Sequence, residues 1–245
     1  MSEHFPFILV HGANLGGWCW QRVKDLMELQ GATVYTPTLS GLGEDKSSDA
    51  LPSLKTYISD ITELIEAKDL QNCILVGHSY GGMVITGVAD RLADRMQRMI
   101  YVDAAVPSDG DDFASHVPNI SEENANKRRE AFRSLSADGV WIQPMDPQLA
   151  GVTNIDDINW VKQESRPHPL STWLEPLIFE NNGLSHIPKT YILSTNPPTD
   201  IMGYPIHGAI AKDSRDWKYR EIHCGHASMI IEPEKLAKLL LEEID

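Results

Sequence analysis

Gly77-His78-Ser79-Tyr80-Gly81 stands between two stretches of different character. Before it, Cys73-Ile74-Leu75-Val76-Gly77 is a short apolar run rich in branched side chains, which is how a strand buried on both faces reads. After it, Gly82-Met83-Val84-Ile85-Thr86-Gly87-Val88-Ala89 continues to Leu92 and Ala93 with helical spacing. A strand, then G-x-S-x-G, then a helix is the context that lifts a serine out of the backbone as a nucleophile. So sharp a turn holds the serine in a strained conformation, and its neighbours two places away must lack bulk. The helix start below it favours negative charge developing on a substrate. The bland alternative is a tight turn with an idle serine. The context makes Ser79 the candidate nucleophile.

Working outward, Phe5 to Val10 predicts a first strand that ends in His11-Gly12-Ala13-Asn14. Gly16-Gly17 opens a helix carrying Trp18, Trp20, Val23, Leu26, Met27 and Leu29, and Gly31 closes it. Ala32 to Tyr35 is a second strand, followed by a Pro-, Gly- and Ser-rich loop over Thr36 to Asp49. Leu54, Ile58, Ile61, Leu64 and Ile65 mark an amphipathic helix up to about Lys68. Beyond the serine, Met99 to Val102 is a buried strand ending at Asp103-Ala104-Ala105. Lys189 to Ser194 and Trp217 to Ile222 are the last two strands, and Pro233 to Ile244 is a closing helix. Strands alternating with helices predict an α/β fold with a mostly parallel central sheet flanked by helices.

From Pro107 the pattern changes. Short helical stretches, around Glu122–Leu135 and Ile155–Gln163, are broken by prolines, and Trp141, Trp160 and Trp173 all fall here. A Pro-punctuated insertion with large aromatics between two late strands predicts a helical cap over the sheet's C-terminal edge, where open α/β sheets bind ligands. The tryptophans could equally fill a small core of the insertion's own. The expected organisation is a single domain, with a core of residues 1–106 and 187–245 and a cap of residues 107–186.

At 245 residues, one large domain can bury about three quarters of its unfolded surface. Thirty-five acidic residues against 21 Lys and Arg give a net charge of −14, which argues against nucleic acid or an anionic membrane as partner. No basic n-region with an apolar core opens the chain, no apolar run approaches a membrane span, and Cys19, Cys73 and Cys224 are odd in number and far apart. A cytoplasmic protein with reduced thiols is expected.

A serine hydroxyl needs a base. Of the nine histidines, His226 is best placed, in His223-Cys224-Gly225-His226-Ala227 after the last strand and at the same sheet edge as Ser79. His11 and His78 flank glycine turns and are expected to be structural or pocket-lining. His223 is expected in the core or behind the site, and His116, His168, His186 and His207 in solvated loops. His223 and His226 alone make a weak metal signal, and no metal is expected. The N–H groups of Ala13 and Tyr80 can point at the oxygen of a tetrahedral intermediate, with Gly12 letting the backbone come close. The buried carboxylate that orients the base is harder to place. The loop after Lys189–Ser194 has no acid until Asp200, whereas Asp103 directly ends a buried strand and needs a partner that His226 would supply. Asp103 is favoured, with Asp200 and then Asp213 or Asp216 as alternatives.

The stretches His11-Gly12-Ala13, Gly16-Gly17-Trp18-Cys19-Trp20, Thr36-Pro37-Thr38-Leu39-Ser40-Gly41-Leu42-Gly43, Gly77-His78-Ser79-Tyr80-Gly81-Gly82-Met83 and Cys224-Gly225-His226 resemble the α/β-hydrolase superfamily. Within it they are similar to the small capped branch of plant methylesterases, hydroxynitrile lyases and bacterial esterases. The resemblance implies the α/β-hydrolase fold, a Ser79–His226 dyad, an oxyanion hole from Ala13 and Tyr80, and no cofactor. The departure is the acid, since the family's common position after Lys189–Ser194 carries Asn196-Pro197-Pro198. The lyases use a lysine soon after the histidine, where Ala227-Ser228 stands here. The expected activity is therefore a serine carboxylesterase acting on a small to medium, partly apolar ester through an acyl-enzyme on Ser79. Carbamate or other acyl cleavage by the same triad, a ligand-sensing receptor and a hydroxynitrile-type lyase are the alternatives.

Overall fold

The computed structural model of the chain describes residues 5–43, 51–181 and 183–244. Of the loop expected over 36–49, residues 44–49 lie outside the described residues. Six strands form one parallel sheet: β1 (Phe7–Val10), β2 (Val34–Tyr35), β3 (Cys73–His78), β4 (Met96–Val102), β7 (Lys189–Ser194) and β8 (Trp217–Ile222). Their order is β2-β1-β3-β4-β7-β8, in matched register such as Phe7 with Ile74 and Val10 with Gly77. The chain steps outward from β1 to β2 and then returns to build β3 on the other side. The order thus reverses between β1 and β3, which opens a crevice at the strands' C-terminal ends.

The alternation of side chains along each strand divides the core in two. Phe7, Leu9, Ile74, Val76, Ile100 and Val102 face a layer with Val23 and Met27 of α1 (Gln21–Glu28) and Leu236 and Leu240 of α9 (Pro233–Leu241). Ile8, Val10, Leu75, Met99 and Tyr101 face the opposite layer, built from α2 (Leu54–Ala67) and α3 (Gly81–Arg91). Strand β3 is buried along its whole length because helices cover both faces, as its unbroken apolar run requires. Helix α2 begins with a reciprocal capping box between Ser53 and Thr56.

Between β4 and β7 the chain forms α4 (Glu122–Ser134), α5 (Ile155–Glu164), α6 (Leu170–Leu174) and an antiparallel pair, β5 (Trp141–Ile142) with β6 (His168–Pro169). The sequence pattern did not predict that pair. The insertion is seated on the core through aromatic side chains. Trp173 is buried against Phe132 and Phe113, at 4.8 and 5.1 Å between ring centroids, and lies parallel to Tyr80 at 6.5 Å. The Tyr80 hydroxyl donates to the Thr172 carbonyl at 3.0 Å. Trp160 meets Trp18 of the core edge to face at 5.1 Å. Trp173 therefore fills the seam between this insertion and the sheet, and Trp141 is half-buried on β5.

Candidate active site

The turn after β3 has the strain its glycines imply. Ser79 has a φ of 55°, a left-handed conformation that a side chain adopts at a cost. It persists because its neighbours over-determine it: the Ser79 N–H donates to the Val102 carbonyl at 3.3 Å, and its carbonyl accepts from Gly82 and Ala105 at 3.1 Å each. A Cβ on Gly81 would sit 2.7 Å from the Val10 carbonyl oxygen, and one on Gly82 would sit 2.0 Å from that of Ala105. Nothing larger than glycine fits there.

Asp103, directly after β4, also has a positive φ of 44° and is completely buried. Its Oδ2 accepts a 2.6 Å hydrogen bond from Nδ1 of His226, and its Oδ1 accepts from the Ser194 N–H at 3.3 Å. His226 lies between β8 and α8 (Ser228–Ile231), on the loop that its neighbour His78 secures by donating from Nε2 to the His226 carbonyl at 3.0 Å. With Nδ1 donating to the carboxylate, Nε2 of His226 is the nitrogen left to act as a base. Asp200, Asp213 and Asp216 are exposed and make no contact with His226.

Ser79 Oγ is hydrogen-bonded to the hydroxyl of Tyr204 at 3.1 Å, and not to the ring of His226. Tyr204 opens α7 (Tyr204–Asp213), is fully buried, and stacks on His226 at 5.3 Å and an interplanar angle of 11°. Sequence reasoning missed it. Gly203 at φ 76° with Pro205 in the first turn marks the helix start, but nothing local says that this tyrosine turns toward the serine. The Gly12 loop runs against the serine, since a Cβ on Gly12 would lie 2.9 Å from Ser79 Cβ. Among the described residues the N–H groups of Ala13 and Tyr80 have no protein acceptor.

The other histidines depart from several expectations. His116, His168 and His207 are buried, not solvated. His168 accepts from the Asn14 N–H at Nδ1 and pairs with Thr172 Oγ1 through Nε2, and burial pushes it down to about 3. His116 Nδ1 and His207 Nε2 are 3.0 Å apart; burial is the first cause that lowers both, followed by the neighbouring His207 ring and the Arg128 guanidinium for His116 and by the Arg128 guanidinium for His207. His11, as expected of a structural residue, bonds the Gly12 carbonyl and the Leu39 N–H, and burial lowers it to about 4. His223 is exposed, beside Asn196 and Thr195, because the strand ends before it and its ring points outward. Among the described residues no three His, Cys, Asp or Glu side chains converge as a metal site. No helix among them is long and apolar enough to cross a membrane. A recess of about 450 Å3 beside His116 and His207 has none of Ser79, Asp103 or His226 in its wall.

The profile of the alpha/beta hydrolase family matches residues 7–239. The chain is 35% identical, over 96% of its length and 97% of the relative's, to the carbendazim hydrolyzing esterase of Nocardioides sp. (strain SG-4G). It is 26% identical to salicylic acid-binding protein 2 of Nicotiana tabacum, over 99% and 98% of the two chains. Among solved structures, an extracellular alpha/beta-hydrolase from a Paenibacillus species, described as sharing structural and functional homology with the tobacco protein, superposes with a TM-score of 0.80 at 25% identity. That match covers 97% of this chain and 98% of the other. The chain belongs to the alpha/beta hydrolase family, and its fold is the alpha/beta-hydrolase fold.

Proposed function

We propose that this member of the alpha/beta hydrolase family is a carboxylesterase in which Ser79 is the nucleophile, His226 the general base and acid, and Asp103 the carboxylate that orients it. The observation that carries the assignment is the 2.6 Å bond from His226 Nδ1 to a fully buried Asp103, at the same sheet edge as the strained Ser79. A carboxylate held this way fixes the imidazole tautomer and stabilises the cation that forms when Nε2 takes the serine proton. The Ser194 N–H satisfies the second carboxylate oxygen, so burial leaves the acid usable and not orphaned.

The reaction runs in two halves. Ser79 Oγ bonds to the ester carbonyl carbon as its proton passes to His226 Nε2, and the carbonyl π electrons move to the oxygen. The N–H groups of Ala13 and Tyr80 donate to that oxygen as the oxyanion hole, each such donor lowering the barrier by roughly 3 kcal/mol. The carbon–alkoxide bond then breaks, and the leaving alcohol takes the proton from His226. Water repeats the sequence on the acyl-enzyme and returns the proton to Oγ. None of these steps requires a cofactor.

The substrate is a small-molecule ester, and the buried aromatic seam of Tyr80, Phe113 and Trp173 supports a partly apolar one. The name of the Nocardioides relative brings carbendazim into the range to be tried, beside simple methyl and p-nitrophenyl esters and carbamates. Cys19, Cys73 and Cys224 are buried free thiols, which supports a reducing, cytoplasmic setting. The test is steady-state hydrolysis of an ester panel by the wild type and by His226→Ala. The assignment predicts turnover that the variant loses; an active His226→Ala enzyme would overturn it.

A further inference from the structure

We infer that Tyr204 is a further catalytic residue, whose phenol donates a hydrogen bond to Ser79 Oγ while that oxygen carries developing negative charge. The inference rests on Ser79 being the nucleophile. A buried hydroxyl needs a partner, and among the described residues the partner of Tyr204 is the Ser79 oxygen at 3.1 Å. The contact is with the atom that makes and breaks bonds, so it changes strength as the reaction proceeds.

The direction of donation follows from the chemistry. Once the serine proton is committed to His226 Nε2, Oγ can only accept, so the phenol donates. Burial is the first reason the Tyr204 hydroxyl is pushed well above its ordinary value, and the nearby Asp103 carboxylate adds to it, so the phenol stays protonated through the working pH range. Its proton never transfers. In acylation it stabilises the incipient alkoxide as Oγ bonds to the carbonyl carbon. In deacylation the carbon–Oγ bond breaks with its electron pair going to Oγ, and the same hydrogen bond holds that charge until His226 delivers its proton.

The ring makes a second contribution at the same moment. His226 stacks on the Tyr204 face at 5.3 Å and 11°, so the imidazolium that forms lies over an electron-rich ring. His116 also stacks on the Tyr204 ring, at 6.1 Å between centroids, and burial lowers it, so its imidazole favours the uncharged form. Tyr204 therefore touches both partners of the proton transfer and favours the arrangement in which the serine has lost its proton and the histidine has gained it.

Two variants separate the hydroxyl from the ring. Tyr204→Phe keeps the ring and its packing and removes the donor; Tyr204→Leu removes both. The inference predicts that kcat falls about ten- to a hundredfold in the Phe variant, the size of one hydrogen bond to a charged group. It predicts KM little changed, labelling by a fluorophosphonate slowed in proportion to kcat, and a larger loss in the Leu variant. A role in packing alone would lower the melting temperature without that parallel loss. Wild-type kcat and labelling rate in either folded variant would overturn the inference. Ser79→Ala is run beside them: if it stays active, the assignment of the nucleophile has failed, whereas an inactive Ser79→Ala with an unimpaired Tyr204→Phe removes only the role of Tyr204.

Discussion

The loop that carries His226 and the seam between the sheet and the insertion both hold imidazoles, and they put them to opposite uses. His226 is partly exposed, and its Nδ1 is bonded to a buried carboxylate at 2.6 Å. His168, His116 and His207 are buried, and burial first, with the Arg128 guanidinium adding at His116 and His207, disfavours their charged forms. The same side chain is a base in one region and a shaped, uncharged hydrogen-bonding block in the other. What distinguishes them is the carboxylate, and the contrast can be broken or sharpened at several points.

The largest effect belongs to the carboxylate itself. Asp103→Asn keeps the shape and removes the charge that selects the tautomer, so kcat should fall by about 10⁴, as when a triad acid is neutralised. Asp200→Asn, at an exposed position, should leave kcat unchanged, and the reverse pattern in steady-state assays would erase the distinction between the two loops. Next comes the seam. Trp173→Ala removes the ring packed on Phe132, Phe113 and Tyr80 and should lower the unfolding free energy by about 3–5 kcal/mol in denaturant titration.

The neutral histidines also make stability depend on pH, with a definite sign. Their folded values lie below the ordinary 6.5, at about 3 for His168 and about 4 for His11, so below pH 6.5 the unfolded chain binds protons that the folded chain refuses. Stability is therefore intact above pH 6.5 and falls as the pH drops, each such residue contributing up to about 1.4 kcal/mol per pH unit. Denaturant titrations between pH 7 and the acid limit should show this slope, and His168→Gln should make it shallower. The smallest effect sharpens the division of labour within Tyr80. Tyr80→Phe removes the hydroxyl bond to the Thr172 carbonyl and should cost about 1 kcal/mol of stability, with kcat scarcely altered, because the proposed oxyanion donor is its main-chain N–H.

The same two regions differ in how far they could be read from the chain. The edge is written in local signals: the glycines around Ser79, an acid after the buried end of the strand Met96–Val102, and a histidine after the last strand. Each is forced by steric fit or by the cost of burying charge, and such constraints leave a mark within a few residues. The seam is written in contacts between residues far apart in sequence. Asn14 meets His168, Tyr80 meets Thr172, and Ser79 meets Tyr204, partners 154, 92 and 125 positions apart in the chain. No periodicity records such pairings. For that reason the burial of His116, His168 and His207 and the approach of Tyr204 to the serine emerged only with the fold.

The central claim is that Ser79 is an activated nucleophile, and intact-protein mass spectrometry after treatment with a fluorophosphonate tests it most directly. The account predicts one covalent adduct on the wild type and none on Ser79→Ala under the same conditions. A folded wild-type protein that stays unlabelled, or a Ser79→Ala variant that still takes up one equivalent, would contradict it.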